Sequence, residues 1–321
     1  MRFAISPEQR EFAGSLRRQL AAADTPSVIR AWSAGDFAPG RKLWAQLADA
    51  GVTALAAPEE HGGFGAHPVD LVLAFVELGR AAAPGPYVEA VAVLPTLLAG
   101  TPLAQRIDAI ASGAQMATLA VPPSVPYAVD AMVADTAYLL DGTDLYEARI
   151  ETELGSVDRA RRLAEVAAGT RLGPAGDVAM AWDLGALATA AQLLGAGHAA
   201  LDAATGYAKS RVQFGKPIGS FQAVKHQLAD ALVGLELARP LLYGAALAVA
   251  GETPARARDV SAAKVACADA AYRASRAALQ VHGAIGYTSE CDLALWLTKI
   301  RALRSAWGTQ AEHRARVLAA L

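Results

Sequence analysis

The chain has 321 residues, of which 54% are hydrophobic and 19% charged, and its formal net charge at pH 7 is −2. This composition excludes a disordered chain, and the near-neutral charge gives no electrostatic support for binding nucleic acid or an acidic membrane surface. Two cysteines cannot form a disulfide framework, so we expect a reducing, cytoplasmic location. We expect no membrane span, because the longest uncharged helical candidate, Leu184–Leu201, is interrupted by glycines and polar residues.

Residues 1–112 predict an all-helical N-terminal domain. Ser6–Gln9 is typical of a helix start, because Ser suits the N-cap, Pro the first helical position and Gln the third. Phe12, Leu16 and Leu20 then follow at four-residue spacing on one helical face. Further helices are predicted over residues 41–50, 68–83 and 84–100.

Residues 113–178 predict a reduced, β-rich middle domain, and residues 179–321 a C-terminal helical bundle domain. Three short runs of β-branched or alternating residues, separated by Pro, Gly and Asp, predict strands over 116–121, 131–140 and 161–168. Helical periodicity then returns in four long segments, the last over about 292–320, which indicates a four-helix bundle. The predicted fold class is mainly α with a small β domain between two helical domains.

Several common catalytic motifs are absent from the sequence. The six histidines lack metal-ligand spacing and the two cysteines lie far apart, so no metal site is predicted. The sequence contains no Rossmann, P-loop or G-x-S-x-G motif. The candidate chemistry therefore rests on other features.

Two glycine-containing breaks between the bundle helices carry residues suited to a ligand. In the first, Arg211–Gln222, the Arg211 guanidinium can bind phosphate in a bidentate manner and Phe214 can stack on a planar heterocycle. In the second, Gln280–Thr288, glycines allow backbone N–H groups to approach a ligand closely. Taken singly, each stretch is explained at least as well by a simple connection between helices.

Together with Pro58–Gly65, these stretches form three ordered motifs that resemble the acyl-CoA dehydrogenase family over nearly the whole chain. The resemblance implies a helical domain, a β domain and a four-helix bundle. It also implies FAD-dependent α,β-dehydrogenation of an acyl-CoA thioester to a trans-2-enoyl-CoA, a step of β-oxidation in lipid metabolism. Contacts to the ADP half of a partner subunit's FAD are implied for Arg211, Gln213, Phe214, Gln222, Gln280, Gly283 and Ala284.

The sequence departs from the family at the general base, the carboxylate that removes the α-proton. The resemblance puts this base at one of two places, which are Gly185 and Trp307 in this chain. Neither residue accepts a proton. Asp183, which shares a helix with Gly185, is the best substitute among nearby carboxylates, although a capping or surface role is the more common one. The polar loop and tryptophan segment that cradle the flavin ring in the family are missing too.

The leading hypothesis is therefore a base-less subunit of a heterotetrameric, α2β2, acyl-CoA dehydrogenase. It would supply ADP-half contacts to FAD shared with a homologous catalytic subunit. The sequence motif Gln-x-His-Gly-x-Ile-Gly at Gln280–Gly286 is similar to the motif of heterotetramers that act on bulky or sterol-derived acyl-CoA thioesters. Two alternatives stay open: a self-sufficient homodimeric dehydrogenase with a displaced carboxylate base, and a structural homologue without flavin.

Overall fold

The N-terminal region is helical, as predicted. The computed structural model describes residues 5–251 and 253–321. At the start of the first helix, the Ser6 hydroxyl accepts a hydrogen bond from the Gln9 backbone N–H at 3.2 Å, and the Gln9 side chain accepts one from the Ser6 N–H at 3.0 Å. This confirms the predicted helix start. The helices are α1 (Pro7–Ala22), α2 (Thr25–Ser33), α3 (Ala38–Asp49), α4 (Pro68–Arg80), a π-helical segment (Val88–Val93), α5 (Leu94–Leu98) and α6 (Arg106–Ala111).

A five-stranded sheet follows within residues 113–178. Its strands are β1 (Ala117–Ala120), β2 (Ala128–Val129), β3 (Thr136–Asp141), β4 (Asp144–Leu154) and β5 (Leu163–Pro174), in the order β1-β3-β4-β5-β2. β1 and β3 are parallel, and the other pairs are antiparallel. The predicted strand over 131–140 starts only at Thr136, because a turn occupies the residues before it. β4 was not predicted, since most of its side chains are exposed and its apolar contacts with the core, from Leu145, Tyr146 and Ala148, are confined to its first half.

The C-terminal region is a helical bundle built around one long buried helix. Its elements are α7 (Val178–Ser210), a hairpin of β6 (Val212–Gln213) and β7 (Lys216–Pro217), α8 (Gln222–Ala250), α9 (Arg256–His282), α10 (Leu293–Leu303) and α11 (Gln310–Leu318). The prediction of one final helix over 292–320 was wrong. Left-handed backbone at Trp307 (φ 52°) and Gly308 (φ 95°) separates α10 from α11. This break positions Trp307 in the connection between the two helices.

The high apolar content of the chain is concentrated in closely packed helices. At Gly195 in α7, an added Cβ would lie 1.9 Å from the Val76 carbonyl oxygen in α4, so the two backbones touch. Within the described residues, two helices, α7 and α8, are long and apolar enough to cross a membrane by length and composition alone. In the most apolar stretch of α7, 94% of the residues are buried, as in the core helix of a globular domain, against 39% in α8. One face of α8 therefore lies on the protein surface.

Candidate functional site

The two positions at which the family resemblance puts the general base meet in the fold. A Cβ added at Gly185 in α7 would lie 2.4 Å from Cε3 of Trp307. The Trp307 side chain is buried and packs against the ring of Trp182, with 5.7 Å between ring centroids. The indole therefore fills the space beside Gly185, and only glycine fits there. Neither position holds a group that can accept a proton.

A buried carboxylate that the sequence analysis missed lies against this indole. Trp307 Nε1 donates a hydrogen bond to Glu89 Oε1 at 3.0 Å, and Glu89 is only 3% exposed. Burial raises the pKa of Glu89, and the Arg161 guanidinium and the Trp307 hydrogen bond oppose that rise. Glu89 lies in the π-helical segment, a conformation found frequently at functional sites. The only feature of the sequence that could have indicated Glu89 is that it is a single acidic residue inside an apolar run.

A small cavity of about 20 Å³ lies beside Trp307 and Glu89, which is room for about one water molecule. Its polar lining comes from all three regions of the chain. At the edges of this cluster, Trp32 Nε1 donates to Asp130 at 3.0 Å, and Lys299 pairs with Asp158 at 3.0 Å. The cavity is too small for an acyl chain. The polar residues that line it are Glu89, Asp130, Arg161, Thr189, Gln192 and Lys299.

Asp130 is expected to make stability depend on pH. Burial raises the pKa of Asp130 from 3.8 to about 7, against the hydrogen bond from Trp32 and the charge of Lys299. Between these two values the folded chain holds a proton that the unfolded chain releases. The contribution of Asp130 to the free energy of unfolding should therefore fall as pH rises from about 4 to about 7, by up to about 1.4 kcal/mol per pH unit, and its slope should be zero above pH 7. Burial lowers the pKa of His198 and His313 to about 4, so these two residues contribute slopes of the opposite sign.

Urea unfolding across this pH range measures the slope. Relative to the unaltered chain, Asp130→Asn should make the slope more positive by up to about 1.4 kcal/mol per pH unit, whereas Asp141→Asn, at an exposed position, should leave it unchanged. An equal slope in both variants would show that Asp130 does not hold the proton.

Asp183, the predicted substitute base, forms ion pairs with two arginines. Its side chain is buried, and its two oxygens accept hydrogen bonds from Arg256 at 2.8 Å and Arg316 at 2.9 Å. These ion pairs connect α7 to α9 and α11. Asp183 is not among the described residues that line the cavity beside Trp307. The geometry therefore gives no support to Asp183 as a base.

The structure brings the two predicted FAD-binding stretches to the same end of the bundle. The ring of Tyr207, near the end of α7, stacks on the ring of His282, the last residue of α9, with 4.4 Å between centroids. The β6–β7 hairpin and the glycine turn therefore leave the bundle side by side. All seven predicted contact residues are exposed, and they are Arg211, Gln213, Phe214, Gln222, Gln280, Gly283 and Ala284.

The chemistry of this exposed end fits a phosphate-bearing ligand with a planar ring. Phe214 is 92% exposed. The Arg211 guanidinium forms no ion pair within residues 5–251 and 253–321. Gly283 has a left-handed φ of 64°, and no atom lies within 4 Å of a Cβ built there, so the space beside its Cα is open.

Comparison with known proteins assigns the family. Residues 6–110 match the acyl-CoA dehydrogenase N-terminal domain, and residues 177–321 match the acyl-CoA dehydrogenase C-terminal domain. The chain belongs to the acyl-CoA dehydrogenase family. Acyl-CoA dehydrogenase IpdE2 of Mycobacterium tuberculosis is 34% identical over 298 residues, which cover 91% of each chain. The family resemblance inferred from the three motifs is thus confirmed, and the chain is a member of an oxidoreductase family.

Solved structures of this acyl-CoA dehydrogenase family confirm the predicted fold class. The ChsE4–ChsE5 complex from Mycobacterium tuberculosis contains a chain that matches with a TM-score of 0.86 at 25% identity, covering 99% of this chain and 98% of that one. Butyryl-CoA dehydrogenase from Megasphaera elsdenii matches with a TM-score of 0.84 at 22% identity, covering 100% and 99%. The second likeness shows the fold alone.

Proposed function

We propose that this chain is the base-less subunit of an α2β2 acyl-CoA dehydrogenase, and that it contributes ADP-half contacts to FAD shared with a homologous catalytic subunit. The observation that carries the proposal is the packing of Trp307 against Gly185. Both family positions for the base are filled by groups without a proton-accepting atom, and the adjacent cavity holds no more than a water. Removal of the α-proton therefore takes place on the partner subunit.

The residues of the exposed end have distinct roles in this assembly. When bound, FAD supplies the acceptor for the hydride that leaves the β-carbon of the acyl-CoA. Arg211 binds its pyrophosphate, because a guanidinium makes paired hydrogen bonds to phosphate. Phe214 packs beside the adenosine half, and Gln280 and the open space beside the Cα of Gly283 receive the same half. Gln213, Gln222 and Ala284 complete this set of contacts.

An apolar face on α8 supports the need for a partner chain. Val233, Leu237 and Leu241 recur at four-residue spacing and are 55%, 67% and 48% exposed. Apolar side chains grouped on one exposed helix face are typical of a protein interface. The ChsE4–ChsE5 complex provides a precedent for two different chains assembled on this fold.

We place the heterotetramer in the cytoplasm. We assign it a bulky or sterol-derived acyl-CoA substrate, because the sequence pattern of Gln280–Gly286 is similar to that of heterotetramers that act on such thioesters.

Co-expression with a homologous chain that carries a glutamate at the base position tests the proposal. We expect the two chains to co-purify in equal amounts with bound FAD and to oxidise acyl-CoA, and this chain alone to show neither property. If this chain alone were a flavin-loaded dimer with dehydrogenase activity, the self-sufficient alternative would hold. A stable complex of the two chains without flavin would instead support the structural alternative.

Arg211→Ala is expected to weaken FAD binding in the co-purified complex by about 10- to 100-fold, because a hydrogen-bonded charge contributes roughly 1.5–3 kcal/mol. The exposed position of Arg211 should leave the fold intact. Flavin absorbance per complex after dialysis measures the loss. Lys209→Ala removes an exposed positive charge in the last turn of α7 and serves as the control. Equal flavin retention in the two variants would remove Arg211 from the site.

A further inference from the structure

The side chain of Lys264 lies in the interior of the bundle without a counter-ion. Lys264 belongs to α9, and its exposed fraction is 0%. Its Nζ donates hydrogen bonds to the carbonyl oxygens of Leu303 and Arg304, both at 3.2 Å. These two carbonyls lie at the C-terminal end of α10. Lys264 forms no ion pair within residues 5–251 and 253–321.

A second buried lysine, Lys299, shows how a charged amine is held in this chain. Lys299 in α10 is 7% exposed, and its Nζ lies 3.0 Å from a carboxylate oxygen of Asp158. Burial of a charge without such a partner is costly, and a lysine in that position loses its proton more readily. Lys264 therefore has the surroundings of an uncharged amine, whereas Lys299 has those of an ammonium ion.

The hydrogen bonds of Lys264 also fit an uncharged amine. An ammonium group has three N–H donors, and a neutral amine has two. Leu303 and Arg304 provide two acceptors, and the described part of the chain supplies no third. Lys264 does not line the cavity beside Trp307, so a water held in that cavity is out of reach. A proton added to Nζ would thus become a buried donor without a partner, which is unfavourable.

The charged and titratable groups around Lys264 act mainly against its protonation. Burial lowers the pKa of Lys264 from 10.5 to about 7, Cys267 opposes this fall, and the Arg161 and Arg304 guanidinium groups add to it. The buried carboxylate of α7, Asp183, pairs with two arginines and not with Lys264. No negative charge in the described residues therefore compensates a proton on Nζ.

A second contact from α9 holds the connection that follows α10. His313 in α11 is 1% exposed, its Nε2 lies 2.8 Å from the Trp307 carbonyl oxygen, and its Nδ1 lies 3.1 Å from Ser261 Oγ in α9. Burial lowers the pKa of His313 to about 4. A neutral imidazole with its hydrogen on Nε2 donates to Trp307 and accepts from Ser261. Lys264 and His313 thus hold the two sides of the connection as uncharged groups.

We propose that Lys264 is a pH-sensitive clasp, which holds the C-terminal end of α10 against α9 while its amine is uncharged and is weakened when the amine takes up a proton. The end of α10 leads directly into the connection that carries Trp307. The clasp therefore affects how firmly the indole is held beside Gly185. This inference is independent of the proposed function, because neither Lys264 nor its two acceptors belong to the predicted FAD contacts.

Urea unfolding of the chain between pH 7 and pH 9 tests the clasp. In this range the unfolded lysine is protonated and the folded one is not, so protonation of Lys264 favours unfolding less as pH rises. The ratio of the unfolding constant of Lys264→Met to that of the unaltered chain should rise by up to about tenfold per pH unit. Lys42→Met removes an exposed lysine of α3 and should leave the ratio constant. A constant ratio in both variants would overturn the proposal.

Two measurements on the unaltered chain keep the test independent of how well Lys264→Met folds. The chain has six lysines, and with ¹³Cε-labelled lysine we expect one NMR signal to titrate near pH 7. The Arg304 amide donates to the Ile300 carbonyl in the last turn of α10. Its hydrogen-exchange protection factor should be lower at pH 6 than at pH 8 by about tenfold. Absence of such a lysine signal, or equal protection at the two pH values, would contradict the clasp.

Discussion

Gly185→Ala is expected to destabilise the folded chain by about 1–3 kcal/mol, although alanine is the better helix former. The added methyl group would lie 2.4 Å from Cε3 of Trp307, which is far inside van der Waals contact. The indole cannot retreat easily, because it also donates to Glu89 and packs on Trp182. Urea unfolding, with comparison of midpoints at constant slope, measures the change.

Gly206→Ala is the matched control on the same helix. No atom lies within 4 Å of a Cβ at Gly206, so this substitution should stabilise the chain by about 0.5–1 kcal/mol. Trp307→Ala should cost about 3–5 kcal/mol through the cavity that it leaves. In the double variant with Gly185→Ala, the methyl group finds room, and the combined cost should be smaller than the sum of the two. Strict additivity would contradict the contact between the two base positions.

Local patterns in the sequence predicted the fold where short-range interactions determine it. The hydrogen bonds between Ser6 and Gln9 close within four residues, so sequence spacing is sufficient to find them. β4 was missed because its neighbours β3 and β5, and not its own burial pattern, determine its strand conformation. The division of residues 292–320 into two helices was missed because it requires a left-handed backbone at Trp307, a conformation that is rare for a bulky residue.

Only one part of the predicted site could be found from the sequence, because only that part depends on residues that are close together in the chain. The exposed end around Arg211 and Gly283 rests on motifs that are contiguous in sequence, and the structure brings them together. The contact between Gly185 and Trp307 links distant segments, and no periodicity encodes it. Glu89 was missed because its partner is the Trp307 indole, which reaches it only in the folded chain. The Trp307 indole thus packs against a glycine on one side and donates to a buried acid on the other.

Asp183→Asn is expected to destabilise the chain by about 3 kcal/mol or more, the typical cost of removing one partner from a buried ion pair. The Asp183 carboxylate accepts from both Arg256 and Arg316, so its neutralisation leaves two guanidinium groups uncompensated between α7, α9 and α11. Thermal and urea unfolding of the chain measure the loss. Asp202→Asn on the same helix is the control, because Asp202 is exposed and its ion pair with Arg80 should contribute about 0.2–1 kcal/mol.

The same variant decides between an ion-pairing role and a catalytic one. If Asp183 only joins the helices, acyl-CoA oxidation per folded complex should be unchanged in Asp183→Asn, and its pH profile should match that of the unaltered complex. If Asp183 is a displaced base, oxidation per folded complex should fall by about 100-fold or more, because a positioned base contributes about 10² to 10⁴ in rate. Loss of stability with unchanged activity is the result that the geometry predicts, since the carboxylate is held by two arginines and does not line the described cavity beside Trp307.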